Sequence, residues 1–133
     1  MLAGGIANVA WPAPLTGRAG LLAGATLVAA GVALLAWCRR TLAAAGTPLP
    51  GGLPTTAVVR SGPYGLSRNP IYVAFVFVHL GVALALDSAW ILAMLAPAVL
   101  LIALVVIPRE ERYLQEKFGE EYLAYKAAVR RWV

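Results

Sequence analysis

Along the chain, long apolar blocks alternate with two shorter polar segments. Residues 19–38 contain no charged side chain, residues 90–107 form a second such block, and residues 71–86 form a shorter third with His79 as its only polar interruption. An apolar run of roughly 18 residues or more is long enough to cross the hydrocarbon as a helix. The pattern therefore predicts an all-α integral membrane protein with three transmembrane helices, the last two joined as a hairpin. Residues 1–17 are apolar but hold Gly4, Gly5, Pro12 and Pro14. They form either an interfacial segment or a truncated first helix, which would make a fourth span, and they lack the basic start and small-residue cleavage site of a secretory signal.

Between the first two blocks, residues 39–70 form a connector. Gly46, Pro48, Pro50, Gly51, Gly52 and Pro54 exclude a sustained helix or a central strand there. Ala57 to Val59 is expected to be briefly extended, after which Ser61-Gly62-Pro63-Tyr64-Gly65 forces a turn. Asn69 and Pro70 suit the N-cap and first turn of the next helix, because a proline amide needs no partner there. In the last block Pro97 predicts a kink, and Pro108 marks the end of the span. From residue 109 to 133 the chain turns polar: a charged stretch up to Lys117, a break at Gly119, and a short helix over residues 120–130. Leu114, Phe118, Tyr122, Tyr125 and Val129 form an apolar stripe, so this tail is amphipathic and folds back on the membrane face or on the connector.

With 61% hydrophobic and 13% charged residues over 133 positions, the chain suits one membrane domain rather than a soluble one. Its net charge of +5 is unevenly placed. Arg39, Arg40, Arg60 and Arg68 lie in the connector, while Arg109, Arg112, Lys117, Lys126, Arg130 and Arg131 follow the last span. The turn between the second and third helices carries Asp87 and no cation. By the positive-inside rule the connector and tail are both cytoplasmic, in a multi-pass protein of the cell membrane. Cations that flank spans, without interleaved exposed aromatics, argue against nucleic-acid binding. Arg39, Arg40, Arg130 and Arg131 read as topology and headgroup anchors, and Tyr113, Tyr122, Tyr125 and Trp132 as interfacial aromatics. Cys38 is alone and reads as a buried apolar residue, and His79 as a hydrogen-bonded structural histidine. Nothing has the spacing of a metal site, and no protein partner is indicated.

Polar chemistry collects around Tyr64 to Tyr72 and around Arg109 to Glu121. A hairpin that leaves the surface at Pro70 and returns at Pro108 brings those two regions together. A pocket between them has helix N-terminal amides and Arg68 on one wall, Glu110 and Glu111 on the other, and hydrocarbon beneath. That environment suits a zwitterionic cofactor and an apolar partner.

The blocks Ser61-Gly62-Pro63-Tyr64, Arg68-Asn69-Pro70-Ile71-Tyr72, Glu110-Glu111 and Phe118-Gly119-Glu120-Glu121-Tyr122 with Tyr125 stand in one order. Together with Gly46 to Pro48 they resemble the isoprenylcysteine carboxyl methyltransferase and phospholipid methyltransferase family, small bacterial members in particular, over about two-thirds of the chain. The resemblance implies a multi-pass enzyme that binds S-adenosyl-L-methionine on its cytoplasmic side and methylates a lipophilic or membrane-associated acceptor, be it carboxylate, thiol or amine. By the same resemblance Ala57, Val58, Val59, Tyr64, Asn69, Pro70, Ile71, Tyr72, Glu110 and Glu111 line the cofactor site. Arg68, Asn69 and Arg109 are the candidate catalytic residues, the two arginines for an anionic group.

The chain departs from the family pattern at three places. Asn69 stands for the histidine before the proline, Gly65 for the arginine after Gly-Pro-Tyr, and Ala74 for the glycine that follows the second tyrosine. Asparagine donates and accepts hydrogen bonds but does not titrate, so a mechanism with a base at that position is not open to this chain. Two alternatives stay beside the methyltransferase. One is an NADPH-dependent enzyme like the membrane sterol reductases, which carry a similar Arg-His-Pro-Asn-Tyr block, and the other is a catalytically silent membrane module.

Overall fold

In a computed structural model the described residues are 16–49 and 54–133, and their regular structure is helical throughout. The expectation for residues 1–17 falls outside them except for Thr16 and Gly17. Helix α1 spans Gly17–Ala44 and helix α2 spans Pro70–Ala85. Helix α3, Ala89–Leu101, passes through a π turn at Ile102–Val106 into α4, Ile107–Phe118; α5 covers Glu120–Ala128. Two of these helical units, Gly17–Ala44 and the continuous Ala89–Phe118, are long and apolar enough to cross a membrane. Helix α2 is apolar but, at 16 residues, only about 24 Å long.

Two boundaries differ from the sequence expectation. Helix α1 does not stop at Cys38 but runs on to Ala44, so Arg39 and Arg40 are helical and the connector starts later. Nothing between Cys38 and Ala45 breaks a helix, and exposed arginines are good helix formers. The second difference is at Pro108, where the helix continues instead of ending. Proline lacks the amide hydrogen and its ring clashes with the carbonyl four residues back. Here the Ile107 amide donates to the Ile102 carbonyl, five residues back, and this wider π turn takes up the misfit. Residues 57–59 form no strand, and α5 ends at Ala128.

Helices α1 and α2 pack along a seam of small residues. The α1 positions Gly20, Gly24 and Gly31 are buried, as are Ala74 and Gly81 of α2. A Cβ added at Gly81 would lie 2.6 Å from the Gly24 carbonyl oxygen, and one at Gly31 would lie 2.8 Å from that of Ala74. Such close backbone approach is the means by which helices associate in an apolar solvent, where hydrophobicity adds nothing between them. The outer faces are correspondingly apolar and exposed, as at Leu22 on α1 and Leu104 in the π turn.

Toward the other end of α1 the seam turns into a side-chain core. Cys38, Leu42, Val59, Tyr64 and Ile71 form one buried cluster, with Leu34 and Leu35 against it. It joins α1, the connector, the 3-10 turn at Gly62–Gly65 and the start of α2. Gly62 has φ +56°, and a Cβ there would be 2.9 Å from Thr41 Oγ1, so glycine is needed both for the turn and for its contact with α1. At the opposite end Asp87, in the α2–α3 turn, accepts hydrogen bonds from the Thr16 amide (2.9 Å) and hydroxyl (3.1 Å). His79 is the structural histidine expected: its Nε2 lies 2.7 Å from the Ile91 carbonyl oxygen of α3, which can only accept, so Nε2 carries the proton.

Replacing Gly81 with leucine should separate α1 from α2 at a cost of about 1–3 kcal/mol or more. Thermal unfolding in detergent should fall by several degrees, whereas Leu22→Ala on the exposed face should leave the midpoint unchanged.

Candidate active site

The α2–α3 hairpin returns the chain to the level at which it left, and the two polar regions meet there. Tyr72 Oη donates to Glu110 Oε1 at 2.7 Å, and Arg68 Nη1 to Glu111 Oε1 at 2.9 Å. Beside these contacts lies a cavity of about 790 Å³, within the range of sites that enclose a small molecule. Its floor and sides come from α1 (Leu35, Arg39, Leu42), the connector, the first turns of α2 (Pro70 to Tyr72, Phe75) and α4 (Glu110, Glu111, Tyr113, Leu114). Tyr122 and Tyr125 of α5 complete it.

Glu111 is the electrostatic centre. It takes Arg68 on one oxygen and Arg131 Nη2 on the other at 3.1 Å, with Lys126 at 3.8 Å. Arg131 also donates from Nε to Oε1 at 3.1 Å, making a forked pair with the carboxylate. Side chains of Arg68 and Glu111 are each only 10% exposed, so both charges depend on this pairing.

Further contacts hold the connector against the C-terminal helices. Tyr113 Oη accepts from the Thr55 amide at 3.3 Å, and Lys117 Nζ donates to the Thr55 carbonyl. Arg60 donates to the Glu121 carbonyl at 2.8 Å. Tyr125 Oη donates to the Tyr64 carbonyl at 2.7 Å and lies 3.3 Å from that of Ser67. Gly119, at φ +57° and ψ −124°, makes the bend that lets α5 turn back, a conformation other residues rarely adopt. Burial raises the phenol pKa values of Tyr64, Tyr122 and Tyr125 above their ordinary value, so all three are neutral hydroxyls near neutral pH.

Of the residues singled out in the sequence, Ala57, Val58, Val59, Tyr64, Arg68, Asn69, Pro70, Ile71, Tyr72, Glu110 and Glu111 all line the cavity. Arg109 does not; it is exposed on the outer side of α4. Asn69 sits at the N-cap of α2 without capping it. Its Nδ2 donates instead to the Arg131 carbonyl at 2.9 Å. Sequence reading missed Tyr122 and Tyr125, which are buried rather than interfacial, and Arg39 and Arg131, which are more than membrane anchors. The apolar stripe through 114, 118, 122 and 125 was the available signal for the tyrosines. The two arginines carried none, because a cation beside a span looks the same whether it meets lipid or a cavity.

The sequence pattern of the phospholipid methyltransferase family matches residues 19–121, most of the chain and both walls of the cavity. The chain belongs to that family. The cobalt-zinc-cadmium resistance protein CzcN of Cupriavidus metallidurans is 33% identical over 110 residues, which is 83% of this chain and 45% of that protein. An uncharacterized protein of Haemophilus influenzae is 63% identical over 27 residues, 20% of this chain and 43% of that protein. The chain thus spans less than half of the length of these curated relatives. No solved structure matches it. The matched region includes Arg68, Asn69, Pro70, Tyr72, Glu110 and Glu111.

Replacing Glu111 with alanine leaves the Arg68 guanidinium buried without its carboxylate, a loss of about 3–5 kcal/mol. Denaturant unfolding in detergent micelles should show it, and Glu116→Ala, exposed on the same helix, should change stability by less than about 0.5 kcal/mol.

Proposed function

We propose that this chain is an S-adenosyl-L-methionine-dependent methyltransferase acting on a lipophilic or membrane-associated acceptor, with its cavity at the cytoplasmic surface of the cell membrane. The observation that carries the reading is the cavity itself. It has a carboxylate in Glu110, cations in Arg39 and Arg68, neutral tyrosines, and an apolar remainder that includes Leu35, Leu42, Phe75 and Leu114. In its wall Tyr64 Oη and Arg68 Nε are buried with no hydrogen-bond partner among the described residues. Buried polar atoms are rarely left so, and a ligand with several polar groups accounts for them. A zwitterionic nucleoside fits this set: adenosine toward the Ala57 to Val59 stretch and Tyr64, carboxylate toward a cation, and the positive centres toward Glu110.

When bound, S-adenosyl-L-methionine supplies an electrophilic methyl group on a positive sulfur. Methyl transfer needs alignment and a dry site more than it needs proton transfer. Glu110 is aligned by the Tyr72 hydroxyl on Oε1, and Oε2 has no hydrogen bond among the described residues, so that it can face a cation. Arg39 has no ion-pair partner among the described residues and serves an anionic group. Arg68 and Glu111 hold the wall, Asn69, Pro70, Ile71 and Tyr72 form its surface, and Arg109 stays outside. The only histidine of the chain, His79, does not line the cavity. An acceptor that is already a nucleophile, such as a carboxylate or thiolate, therefore suits the site better than a protonated amine.

In this reading Gly17–Ala44, Pro70–Ala85 and the apolar part of Ala89–Phe118 make three spans, and the connector and C-terminal helices share the cytoplasmic side. Helix α2, at about 24 Å, is shorter than a hydrocarbon core of about 30 Å. Placed with its Asp87 end at the far surface, α2 begins just below the near boundary, and its residues Pro70, Ile71 and Phe75 line the cavity at that depth. A greasy acceptor reaches it without leaving the bilayer.

Calorimetric titration of the full chain in detergent should show binding of S-adenosyl-L-methionine and of S-adenosyl-L-homocysteine and none of NADPH; binding of NADPH alone would favour a reductase and sink this reading. Glu110→Ala should weaken binding of the cationic donor by about ten- to a hundredfold, the size of a lost hydrogen bond or contact to a charged group. An unchanged dissociation constant would remove Glu110 from the site.

A further inference from the structure

The segment after α5, Val129 to Arg131, has no regular structure, yet it carries an unusual share of polar bonds. The Arg130 carbonyl accepts the Arg68 backbone amide at 2.9 Å. The Arg131 carbonyl accepts the Asn69 side-chain amide at 2.9 Å and the Ser67 hydroxyl at 3.3 Å. The Arg131 guanidinium forks onto Glu111, which also holds Arg68. Three consecutive residues, Ser67, Arg68 and Asn69, thus each donate a hydrogen bond to the carbonyl of Arg130 or Arg131, two consecutive residues of the tail.

Those three residues belong to the four-residue link, Leu66 to Asn69, between the 3-10 turn and α2, and no helix or strand fixes their backbone. Ser67 is buried and accepts the Asn69 amide at 3.1 Å, and Arg68 and Asn69 line the cavity. A short irregular link of this kind keeps its shape only as far as hydrogen bonds hold it, since ordering each residue costs about 1–2 kcal/mol. Where the link is ordered before a ligand arrives, that cost does not fall on binding.

We propose that Val129 to Arg131 form a strap that holds the Ser67-Arg68-Asn69 wall in its ligand-ready geometry, with Arg131 as the positioning residue and Glu111 as its anchor. Arg131 touches the wall and its anchor and is absent from the cavity lining, so its effect on a ligand passes through Ser67, Arg68 and Asn69. The Asn69 amide in turn faces the strap, which assigns that side chain to holding the wall. The consequence for binding rests on the methyl-donor reading above; the consequence for the wall does not.

The experiment uses the full chain in detergent micelles, as wild type, Arg131→Gln and Arg131→Lys, with two measurements. In the ligand-free protein, amide hydrogen exchange over residues 67–69 should speed about tenfold or more in Arg131→Gln, while the interior amides of α1 and α2 keep their rates. Titration with S-adenosyl-L-homocysteine should give a dissociation constant weakened about tenfold in Arg131→Gln, with Arg131→Lys regaining much of it by restoring the charge. Unchanged exchange over 67–69 overturns the strap, as does general acceleration through α1 and α2, which marks Arg131 as a residue of global stability. Faster exchange with unaltered affinity overturns the positioning role. A wild type that binds no S-adenosyl-L-homocysteine sinks the methyl-donor reading instead, and the exchange measurement then decides the strap by itself.

Discussion

The architecture around the cavity depends on one buried carboxylate. Glu111 is carried by α4, Arg68 by the link before α2, and Arg131 by the tail, so three pieces far apart in sequence converge on two oxygens. A carboxylate and a guanidinium this far from water are stable only when each finds its partners, and the penalty for missing one exceeds the gain of an ordinary surface pair. The arrangement is therefore close to all-or-none. Either the hairpin has closed and the tail has folded back, or Arg68 and Glu111 must both return to solvent. Tyr125, whose hydroxyl ties α5 to the Tyr64 carbonyl, closes the same assembly from the other side.

How Glu111 comes to face Arg68 is set less than a turn earlier, at Pro108. A helix that stopped there would leave Glu110 and Glu111 on a flexible tail. The π turn at Ile102–Val106 lets the helix pass the proline and adds a residue to one turn, rotating everything after it by about 100°. The charged turns of α4 are thus rigid extensions of an apolar helix, with their orientation fixed by the irregularity. Such turns are costly enough that they mark places where orientation matters.

Much of this was legible in the sequence. The apolar blocks, the break at Gly119 and the meeting of Tyr64 to Tyr72 with Glu110 and Glu111 follow from hydrophobic length, from turn chemistry and from the return of a hairpin to its own side. The errors have a common cause. A proline or a charged residue after an apolar run reads as the edge of the span with only water or lipid beyond it, whereas α1 meets no helix breaker past Cys38 and α4 is carried past Pro108 by the π turn. The same assumption made Tyr122, Tyr125 and Arg131 look like interface residues. The glycine seam is a different case: Gly20, Gly24 and Gly31 look like ordinary breaks in an apolar run until the partner backbone at Ala74 and Gly81 is known.

That seam also explains why there is room for a cavity. Gly24 lies against Gly81 and Ala85, and Gly31 against Ala74 and Val78, so α1 and α2 run antiparallel in a register that places Leu35 level with Pro70. Helix α1 has 28 residues and α2 has 16, and most of the excess lies beyond that level. The last turns of α1 thus stand with no helix α2 beside them. Leu35, Arg39 and Leu42, spaced four and three apart, present one face of those turns to the space, and the connector, α4 and α5 close around it. Small residues bring the two helices together at one end, and their unequal lengths leave a walled gap at the other, where a polar lining can be assembled on top of an apolar support.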